Sequence, residues 1–220
     1  MQKRRYASGT SNHPEHNKNK DYWDILLGLI KDQQAWKGKV ALDFGCGKGR
    51  NVTNLLSLSE WQRVDGVDIS EGNIEHCKKE FVNQNSKWFV NSGVDLEDIP
   101  SNEYDFVMST ITLQHIPVYE IRRNILGEIL RVLKPGGTFS FQMTFGPASE
   151  GDYRNPALYY DNIYHAQGTN SAWDVRVSNE EDITKDLKEI GFEGIETRVR
   201  DSFSDNQHPQ WIYVQCQKAK

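Results

Sequence analysis

The residues best suited to bind a ligand lie in one short segment, where an acidic side chain is followed by alternating glycines. Residues 40–50 read VALDFGCGKGR, so that Asp43 precedes Gly45, Gly47 and Gly49. The apolar run predicts a strand buried on both faces of a parallel sheet, and the glycines allow a sharp turn and close approach of a ligand. This indicates a nucleotide-type pocket at the carboxyl end of a first strand. A turn that only needs several positive φ angles would use the same glycines, so the rest of the chain decides between the two.

The spacing of the glycines indicates which cofactor the pocket takes. Dinucleotide-binding loops follow the pattern G-x-G-x-x-G and bind a pyrophosphate, whereas these glycines alternate and follow Asp43. A carboxylate there would repel pyrophosphate and favour a cation with an amino-acid tail. S-adenosylmethionine has a sulfonium, an ammonium and no phosphate. The loop, D-x-G-x-G-x-G, closely resembles motif I of the class I S-adenosylmethionine-dependent methyltransferases, which implies that Asp43 and the three glycines contact this cofactor.

A second segment that resembles the family lies at residues 64–69, which read VDGVDI. It predicts a short buried strand ending at Asp68, where a carboxylate can accept hydrogen bonds from both ribose hydroxyls. The resemblance implies that Asp68 is the ribose ligand and that Ile69 lies beside the cofactor. Asp65 is the alternative ligand, but it falls inside the strand.

Two further segments extend the resemblance. In residues 91–108, NSGVDLEDIPSNEYDFVM, Asp95 matches the family residue that binds the adenine amino group and Leu96 matches its neighbour against the ring. Ser109, at the end of the next strand, is also expected at the cofactor. Residues 133–137, LKPGG, predict a helix end, because proline cannot continue a helix and glycine supplies the turn. Four segments resemble the family and occur in the family's order, so a chance resemblance is a poor explanation.

The resemblance and the alternation of strand-like and helix-like segments predict an α/β fold. The expected architecture is a Rossmann-like, doubly wound, seven-stranded sheet, mostly parallel with an antiparallel last strand, and with helices on both faces. A short polar loop between the last two strands predicts that they are antiparallel neighbours. The predicted strands are 40–44, 64–67, 87–91, 106–109 (opened by 104–105), 138–143, 194–200 and 210–217, and the predicted helices are 21–34, 51–58, 71–83, 118–132 and 180–190.

The chain is expected to form one domain behind a polar tail. Residues 1–20 are rich in Asn, His, Lys and Ser, which predicts disorder, and residues 21–220 then form a single methyltransferase domain. Residues 144–178 form a long insert with many aromatic side chains, and we expect it to cover the acceptor pocket. A surface cover without substrate contact is the alternative. The candidate acceptor-binding residues are Tyr164, Trp173 and Arg176.

Methyl transfer requires few catalytic side chains. The sulfonium is a good leaving group, and correct positioning of the two reactants supplies much of the rate. A general base is needed only where the acceptor is protonated, as a hydroxyl is. His115 follows the fourth strand in the sequence LQHIP. The resemblance puts this loop beside the methyl group, and histidine titrates near neutral pH, so His115 is the candidate general base. A histidine that packs at the pocket wall is the alternative, and no metal site is predicted.

The amino-acid composition limits the classes of methyl acceptor and the cellular location that we expect. A net charge of −5 gives no general basic surface for nucleic acid, and no apolar run approaches the roughly 20 residues that span a membrane. The three cysteines lack metal-ligand spacing, which indicates reduced thiols in the cytoplasm. Residues 109–112 read STIT, unlike the Asn/Asp-Pro-Pro-aromatic motif of enzymes that methylate base amines. The expected acceptor is a small molecule or a carbohydrate, methylated at oxygen or nitrogen.

Two other functions are also compatible with the sequence. The first is a regulatory protein that binds S-adenosylmethionine without catalysis. The second is a nicotinamide-dependent oxidoreductase, which the spacing of the glycines disfavours.

Overall fold

Strands alternate with helices along the part of the chain that the structure describes. The computed structural model describes residues 33–146, 157–160, 175–201 and 210–220. The predicted tail at 1–20, almost all of the predicted helix at 21–34, Tyr164 and Trp173 lie outside these residues.

All the strands and α-helices predicted within the described residues are present. The strands are β1 Val40–Phe44, β2 Arg63–Asp68, β3 Trp88–Val90, β4 Tyr104–Thr110, β5 Leu133–Phe145, β6 Ala157–Leu158, β7 Val175–Val177, β8 Phe192–Asp201 and β9 Gln210–Lys218. The α-helices are α1 Arg50–Leu58, α2 Glu71–Glu80, α3 Tyr119–Val132 and α4 Glu180–Ile190. Short 3₁₀ helices lie at Gln33–Trp36 and Leu113–His115.

The strands form one mixed sheet. Parallel strands follow the order β3-β2-β1-β4-β5, and β9 lies between β5 and β8, antiparallel to both. The pairing of β5 with β9 runs from Thr138↔Gln217 to Phe145↔Gln210. The predicted parallel sheet with an antiparallel last strand and a terminal hairpin is confirmed.

Two short strands add to the seven that were predicted. The pairing of β4 with β5 ends at Gln142, and β7 continues along β5 at Thr144 and Phe145. β6 then pairs with β7. The described residues of the predicted insert at 144–178 therefore include two strands. Neither strand has a local sequence signal, because β7 depends on the edge of β5 that β4 leaves uncovered and β6 depends on β7.

The ends of α4 were predictable because its capping residues act locally. The Asn179 side chain accepts a hydrogen bond from the Asp182 amide at 2.9 Å. Gly191 takes a left-handed φ of 114° at the other end, as glycine often does after a helix. The range of α4 is the one predicted.

Two other boundaries were predicted less well. β5 begins at Leu133 instead of Thr138, because Leu133 directly follows α3 and already pairs with Tyr104 of β4. α2 ends at Glu80, earlier than the predicted end at Asn83.

Helices cover both faces of the sheet, as predicted. α3 and α4 contribute Ile129 and Leu187 to the apolar cluster on one face, and α1 and α2 contribute Leu55 and Ile74 to the cluster on the other. Because β1, β2 and β4 are parallel, their carboxyl ends meet at one edge of the sheet. The candidate site lies at this edge.

Candidate functional site

The glycine loop joins β1 to α1 through three left-handed glycines. Gly45, Gly47 and Gly49 have φ values of 77°, 54° and 82°. A Cβ on Gly45 would lie 2.1 Å from Thr112 Oγ1, and one on Gly49 would lie 2.6 Å from the Phe81 ring. A Cβ on Gly47 would meet nothing within 4 Å. Gly45 and Gly49 therefore permit close packing, whereas Gly47 faces open space.

The Asp68 carboxylate borders this loop from the end of β2. Its Oδ2 accepts a hydrogen bond from the Gly47 amide at 2.9 Å, and its Oδ1 accepts one from the Ser70 amide at 2.8 Å. Asn73 Nδ2 lies 3.4 Å from Oδ1. Asp68 is half-buried and lies at the edge where the sequence placed it. Its assignment as the ribose ligand stays a prediction.

Asp65, the alternative acidic residue of β2, has a different environment. It is fully buried, and its carboxylate accepts hydrogen bonds from the Lys87 amide and the Tyr104 hydroxyl, both at 2.8 Å. Arg63 Nε lies 2.9 Å from each of its oxygens. This network holds Asp65 inside the protein, toward the amino end of β2 and away from the glycine loop.

Asp43 is fully buried in β1, next to the glycine loop. Its Oδ1 lies 3.5 Å from Asn51 Nδ2, which also donates to Thr110 Oγ1 at 2.9 Å. Its Oδ2 has no hydrogen-bond partner in the described part of the chain, although buried polar atoms are normally paired. Burial raises the pKa of Asp43 to about 7, with Asp68 adding to the rise and Asn51 and Arg50 opposing it. The unpaired oxygen is suited to a proton or a cationic donor.

Asn51 and Thr110 were not predicted at the site. Asn51 lies in the first turn of α1, directly after the glycine loop, and that position was an available signal. Thr110 ends β4, and only the fold brings it to Asn51. Ser109, the predicted contact beside it, is fully buried and donates from its hydroxyl to the Phe44 carbonyl at 3.1 Å.

Asp95 and Leu96 border a shallow cleft between the ends of β2 and β3 and the loop after β3. The cleft is small and partly open to solvent. The Ser92 hydroxyl donates to Asp95 Oδ1 at 2.9 Å, and Leu96 is buried. Ile69 also contacts this loop, because a Cβ on Gly93 would lie 2.7 Å from Ile69 Cδ1. Ile69, Asp95 and Leu96 thus lie together on the β2–β3 side of the site.

The loop after β4 has a strained backbone. Ile111 adopts a φ of 54°, which is unusual for a β-branched residue. Strain of this kind costs about 1–3 kcal/mol and persists only where the surrounding structure enforces it. Ile111 lies between Thr110, which accepts the hydrogen bond from Asn51, and Thr112, which contacts Gly45.

His115 lies farther along the same loop. It is half-buried, and its amide donates to the Thr112 carbonyl at 3.0 Å. The neighbouring Ile116 carbonyl accepts a hydrogen bond from the Arg122 guanidinium, which also donates to the Tyr159 carbonyl. One side chain therefore joins the loop of His115 to the segment that contains Tyr159.

Arg122 makes these contacts from inside the protein. It is 1% exposed, and its Cζ lies 5.2 Å from the centre of the Tyr159 ring. Burial lowers the pKa of Arg122 to about 10, so the side chain stays charged at neutral pH. No sequence signal indicates this role, because an arginine in an amphipathic helix is usually exposed.

Arg176 is buried in β7, where it pairs with Thr144 of β5. The pairing brings it to the carboxyl end of β5, on the same side of the sheet as the loop of His115. Tyr164 and Trp173, the other candidate acceptor-binding residues, lie outside the described residues.

One face of β5 is polar although it is buried. Gln142 pairs with Thr110 on one side and with Tyr213 on the other, so a polar row continues across the sheet from Asn51. The opposite face of β5 belongs to the apolar cluster beneath α3 and α4. The alternation in the sequence TFSFQMT was an available signal for this face. The buried polar residues of β5 are Thr138, Ser140, Gln142 and Thr144.

A comparison with known families matches residues 42–141 to the family described as "Methyltransferase domain". A curated relative, the demethylmenaquinone methyltransferase of Staphylococcus aureus, is 30% identical over 135 residues, which cover 60% of this chain and 54% of that protein. The chain thus spans about half the length of this relative, and its matches to two others cover 23% and 34% of their lengths.

Solved structures share the fold. A SAM-dependent methyltransferase of Methanosarcina mazei has a TM-score of 0.68 at 19% identity, and the match covers 84% of this chain and 96% of that one. The phosphoethanolamine N-methyltransferase 2 of Haemonchus contortus, solved with S-adenosyl-L-methionine, has a TM-score of 0.64 at 19% identity, covering 90% of this chain and 53% of that one.

Proposed function

We propose that the chain contains a methyltransferase domain of the class I S-adenosylmethionine-dependent family, and that it transfers a methyl group from S-adenosylmethionine to a polar small molecule or a carbohydrate, at oxygen or nitrogen. One observation carries the choice of cofactor. The unpaired Asp43 Oδ2 lies in a buried position next to the glycine loop, in which Gly47 faces open space. An ammonium group would satisfy this oxygen, whereas a pyrophosphate would be repelled by it.

The neighbouring residues fit the rest of the cofactor. A carboxylate offers about four lone-pair sites, so Asp68 can bond the amides of Gly47 and Ser70 and still accept a hydrogen bond from a ribose hydroxyl. We assign the adenine ring to the cleft beside Asp95 and Leu96. These assignments agree with the order in which the family resemblance placed the residues.

The chain's own part in methyl transfer is chiefly to position the two reactants. S-adenosylmethionine supplies, when bound, a methyl group that its sulfonium has already activated. Holding the acceptor in line with that methyl group supplies much of the rate. We propose His115 as the general base where the acceptor is a hydroxyl, since its loop is held in place by Arg122. A neutral amine needs no such base.

The polar row on β5 supports a polar acceptor. Apolar acceptors would be expected to lie against an apolar wall, but Thr110, Gln142 and Tyr213 lie side by side at this edge of the sheet. The names of the relatives do not indicate one class of acceptor, since one acts on demethylmenaquinone and another on phosphoethanolamine. A small molecule or carbohydrate with several hydrogen-bonding groups fits this row best.

Gln142→Leu tests the acceptor side. It removes one or two hydrogen bonds of about 1 kcal/mol each, so KM for the acceptor is expected to rise about tenfold. The Kd for S-adenosylmethionine should stay unchanged. Phe141→Leu is the matched control, because Phe141 lies on the opposite face of β5 and its truncation should lower Tm without raising KM. An unchanged KM in Gln142→Leu would mean that the acceptor binds elsewhere.

Calorimetry and a transfer assay test the whole proposal. The protein should bind S-adenosylmethionine and not NAD, and it should release S-adenosylhomocysteine with some members of a panel of sugars, small alcohols and amines. Failure to bind S-adenosylmethionine would overturn the proposed cofactor. Binding without transfer to any acceptor would favour the alternative, a non-catalytic regulatory protein.

The cytoplasmic location and the exclusion of nucleic acid as acceptor stay predictions from composition. Among the described residues, no helix is long and apolar enough to cross a membrane.

A further inference from the structure

The backbone of Leu96 is held on both sides by one ion pair of α3. Its amide donates to Glu128 Oε2 at 3.1 Å, and its carbonyl accepts a hydrogen bond from Arg131 Nη2 at 2.9 Å. The two side chains also bond each other, with Arg131 Nε 2.9 Å from Glu128 Oε1 and Nη2 2.8 Å from Oε2. Both polar groups of one backbone residue thus depend on the same two side chains.

The same helix holds the loop at two further points. Arg131 Nη1 donates to the Ile99 carbonyl at 2.9 Å, and Asn124 Nδ2 donates to the Val94 carbonyl at 2.6 Å. Asn124, Glu128 and Arg131 are four and three positions apart, which places them on one face of α3. This face therefore fixes the carbonyls at 94, 96 and 99, on both sides of Leu96.

Asp95 depends on this arrangement for its direction. It lies between the fixed residues 94 and 96, and its Oδ1 accepts a hydrogen bond from the Ser92 hydroxyl at 2.9 Å. Leu96 is 2% exposed and lines the cleft together with Asp95. A shift of the Leu96 backbone would move both side chains relative to the cleft.

We propose that Glu128 and Arg131 are positioning residues for the adenine ring, which act by fixing the loop of Asp95 and Leu96 before the cofactor binds. The proposal rests on the proposed function, because it takes the cleft as the adenine site. Neither residue lines the cleft.

The geometry favours this role over a purely structural one. Partly exposed ion pairs contribute little to stability, and the side chains of Arg131 and Glu128 are 32% and 20% exposed. Their contacts go to a loop without helix or strand, so their removal should free the loop and leave the sheet intact. The pKa of Glu128 is lowered, first by the hydrogen bond from Arg131, which keeps the pair charged at neutral pH.

The test compares Arg131→Met with a matched control on the same helix. Arg123→Gln is the control, because Arg123 pairs with Glu189 of α4 at 3.3 Å and its side chain is 35% exposed, close to the value for Arg131. The probes are S-adenosylhomocysteine and its inosine analogue, which has an oxygen in place of the adenine 6-amino group. Calorimetry gives Kd for both, and a thermal melt gives Tm.

The wild-type protein and Arg123→Gln should prefer the adenine ligand to the inosine ligand. In Arg131→Met the Kd for the adenine ligand should rise about tenfold, a size typical of residues that act through others. The Kd for the inosine ligand should change much less, so that the preference is largely lost while Tm falls only slightly. kcat at saturating S-adenosylmethionine should be retained.

Two results would overturn the proposal. An unchanged preference in Arg131→Met would show that the ion pair does not position the loop, and equal weakening of both ligands would show a general structural effect. Glu128→Gln provides a second reading, because it keeps an acceptor for the Leu96 amide and should lose less of the preference than Arg131→Met. A wild-type protein that binds neither ligand would instead contradict the proposed function itself.

Discussion

The two sides of the site differ in charge. The side formed by β1, β2 and the loop after β3 contains carboxylates and glycine backbone. The side formed by the loop after β4, the start of α3, β5 and β7 contains a histidine together with a buried glutamine and two buried arginines. A cationic cofactor suits the first side, and a hydrogen-bonding acceptor suits the second. Each side is thus complementary to a different ligand. The residues concerned are Asp43, Asp68 and Asp95 on the first side, and His115, Arg122, Gln142 and Arg176 on the second.

The largest effect is expected from a change in the glycine backbone. Gly47→Val adds a branched side chain in the space beside the loop, at a residue with a φ of 54°. Binding of S-adenosylmethionine should fall below detection in calorimetry, with a modest loss of Tm.

Gly38→Val is the matched control for Gly47→Val. Gly38 also has a left-handed φ, of 74°, with nothing within 4 Å of its Cβ position, but it precedes β1 at the opposite end of that strand. Gly38→Val should lower Tm by a similar amount, and its affinity for S-adenosylmethionine should be unchanged. If Gly47→Val unfolds outright while Gly38→Val does not, the glycine loop has a structural role.

On the acceptor side, His115→Ala should lower kcat about 10²–10⁴-fold if the acceptor is a hydroxyl, which is the usual contribution of a general base. The Kd for S-adenosylmethionine should hardly change, because the proposed function places the cofactor on the other side of the site. His115→Asn keeps a polar side chain that cannot take a proton at neutral pH, so it should be as slow as His115→Ala. Near-normal turnover in His115→Asn would leave His115 as a packing residue.

Asp68→Ala should weaken S-adenosylmethionine binding at least about tenfold, because hydrogen bonds to a charged group contribute about 1.5–3 kcal/mol each before compensation. Asp65→Asn, in the same strand, is the control. Asp65 is hydrogen-bonded to Arg63, Lys87 and Tyr104 inside the protein. Asp65→Asn should therefore lower Tm and leave the affinity for S-adenosylmethionine unchanged. Unchanged affinity in a folded Asp68→Ala would remove Asp68 from the cofactor side.

At neutral pH, the smallest effect on binding is expected from the protonation of Asp43. Burial raises the pKa of Asp43 to about 7, so below that pH the carboxyl is mostly neutral in the unbound protein. An ammonium favours the charged form, and binding should then release a proton. Affinity should rise with pH by up to about tenfold per unit below pH 7 and level off above it.

Calorimetry in buffers of different ionisation enthalpy counts the protons released. Asp43→Asn should remove both the proton release and the pH dependence. The sign for stability is the opposite, because a carboxyl with a raised pKa in the folded state destabilises the protein as pH rises from about 4 to about 7. As pH rises from about 4 to about 7, the Tm of Asp43→Asn should therefore fall less than the Tm of the wild-type protein.

The arrangement of the side that we propose for the cofactor was largely predictable, because its residues follow one another along the chain in a fixed order. Asp43, the three glycines, Asp68 and Asp95 lie where the sequence motifs indicate. The ends of α4 were predictable for the same local reason, since Asn179 and Gly191 cap the helix from adjacent positions.

The arrangement of the side that we propose for the acceptor was less predictable, because its contacts join distant parts of the chain. Thr110 meets Asn51 across 59 positions, and the Arg122 guanidinium reaches the Tyr159 carbonyl across 37. Neither contact has a local pattern. β6 and β7 were missed because each is too short to show a periodicity.

The position of β9 in the sheet has a consequence for synthesis of the chain on the ribosome. β9 follows the other described strands along the sequence, yet it lies inside the sheet and pairs with both β5 and β8. While the chain emerges, β5 therefore presents an unpaired edge from residue 138 to residue 145 until residue 217 has left the exit tunnel. Unpaired edges can pair with other chains, so slow translation between β5 and β9 should favour aggregation of nascent chains, whereas slow translation before β5 should not.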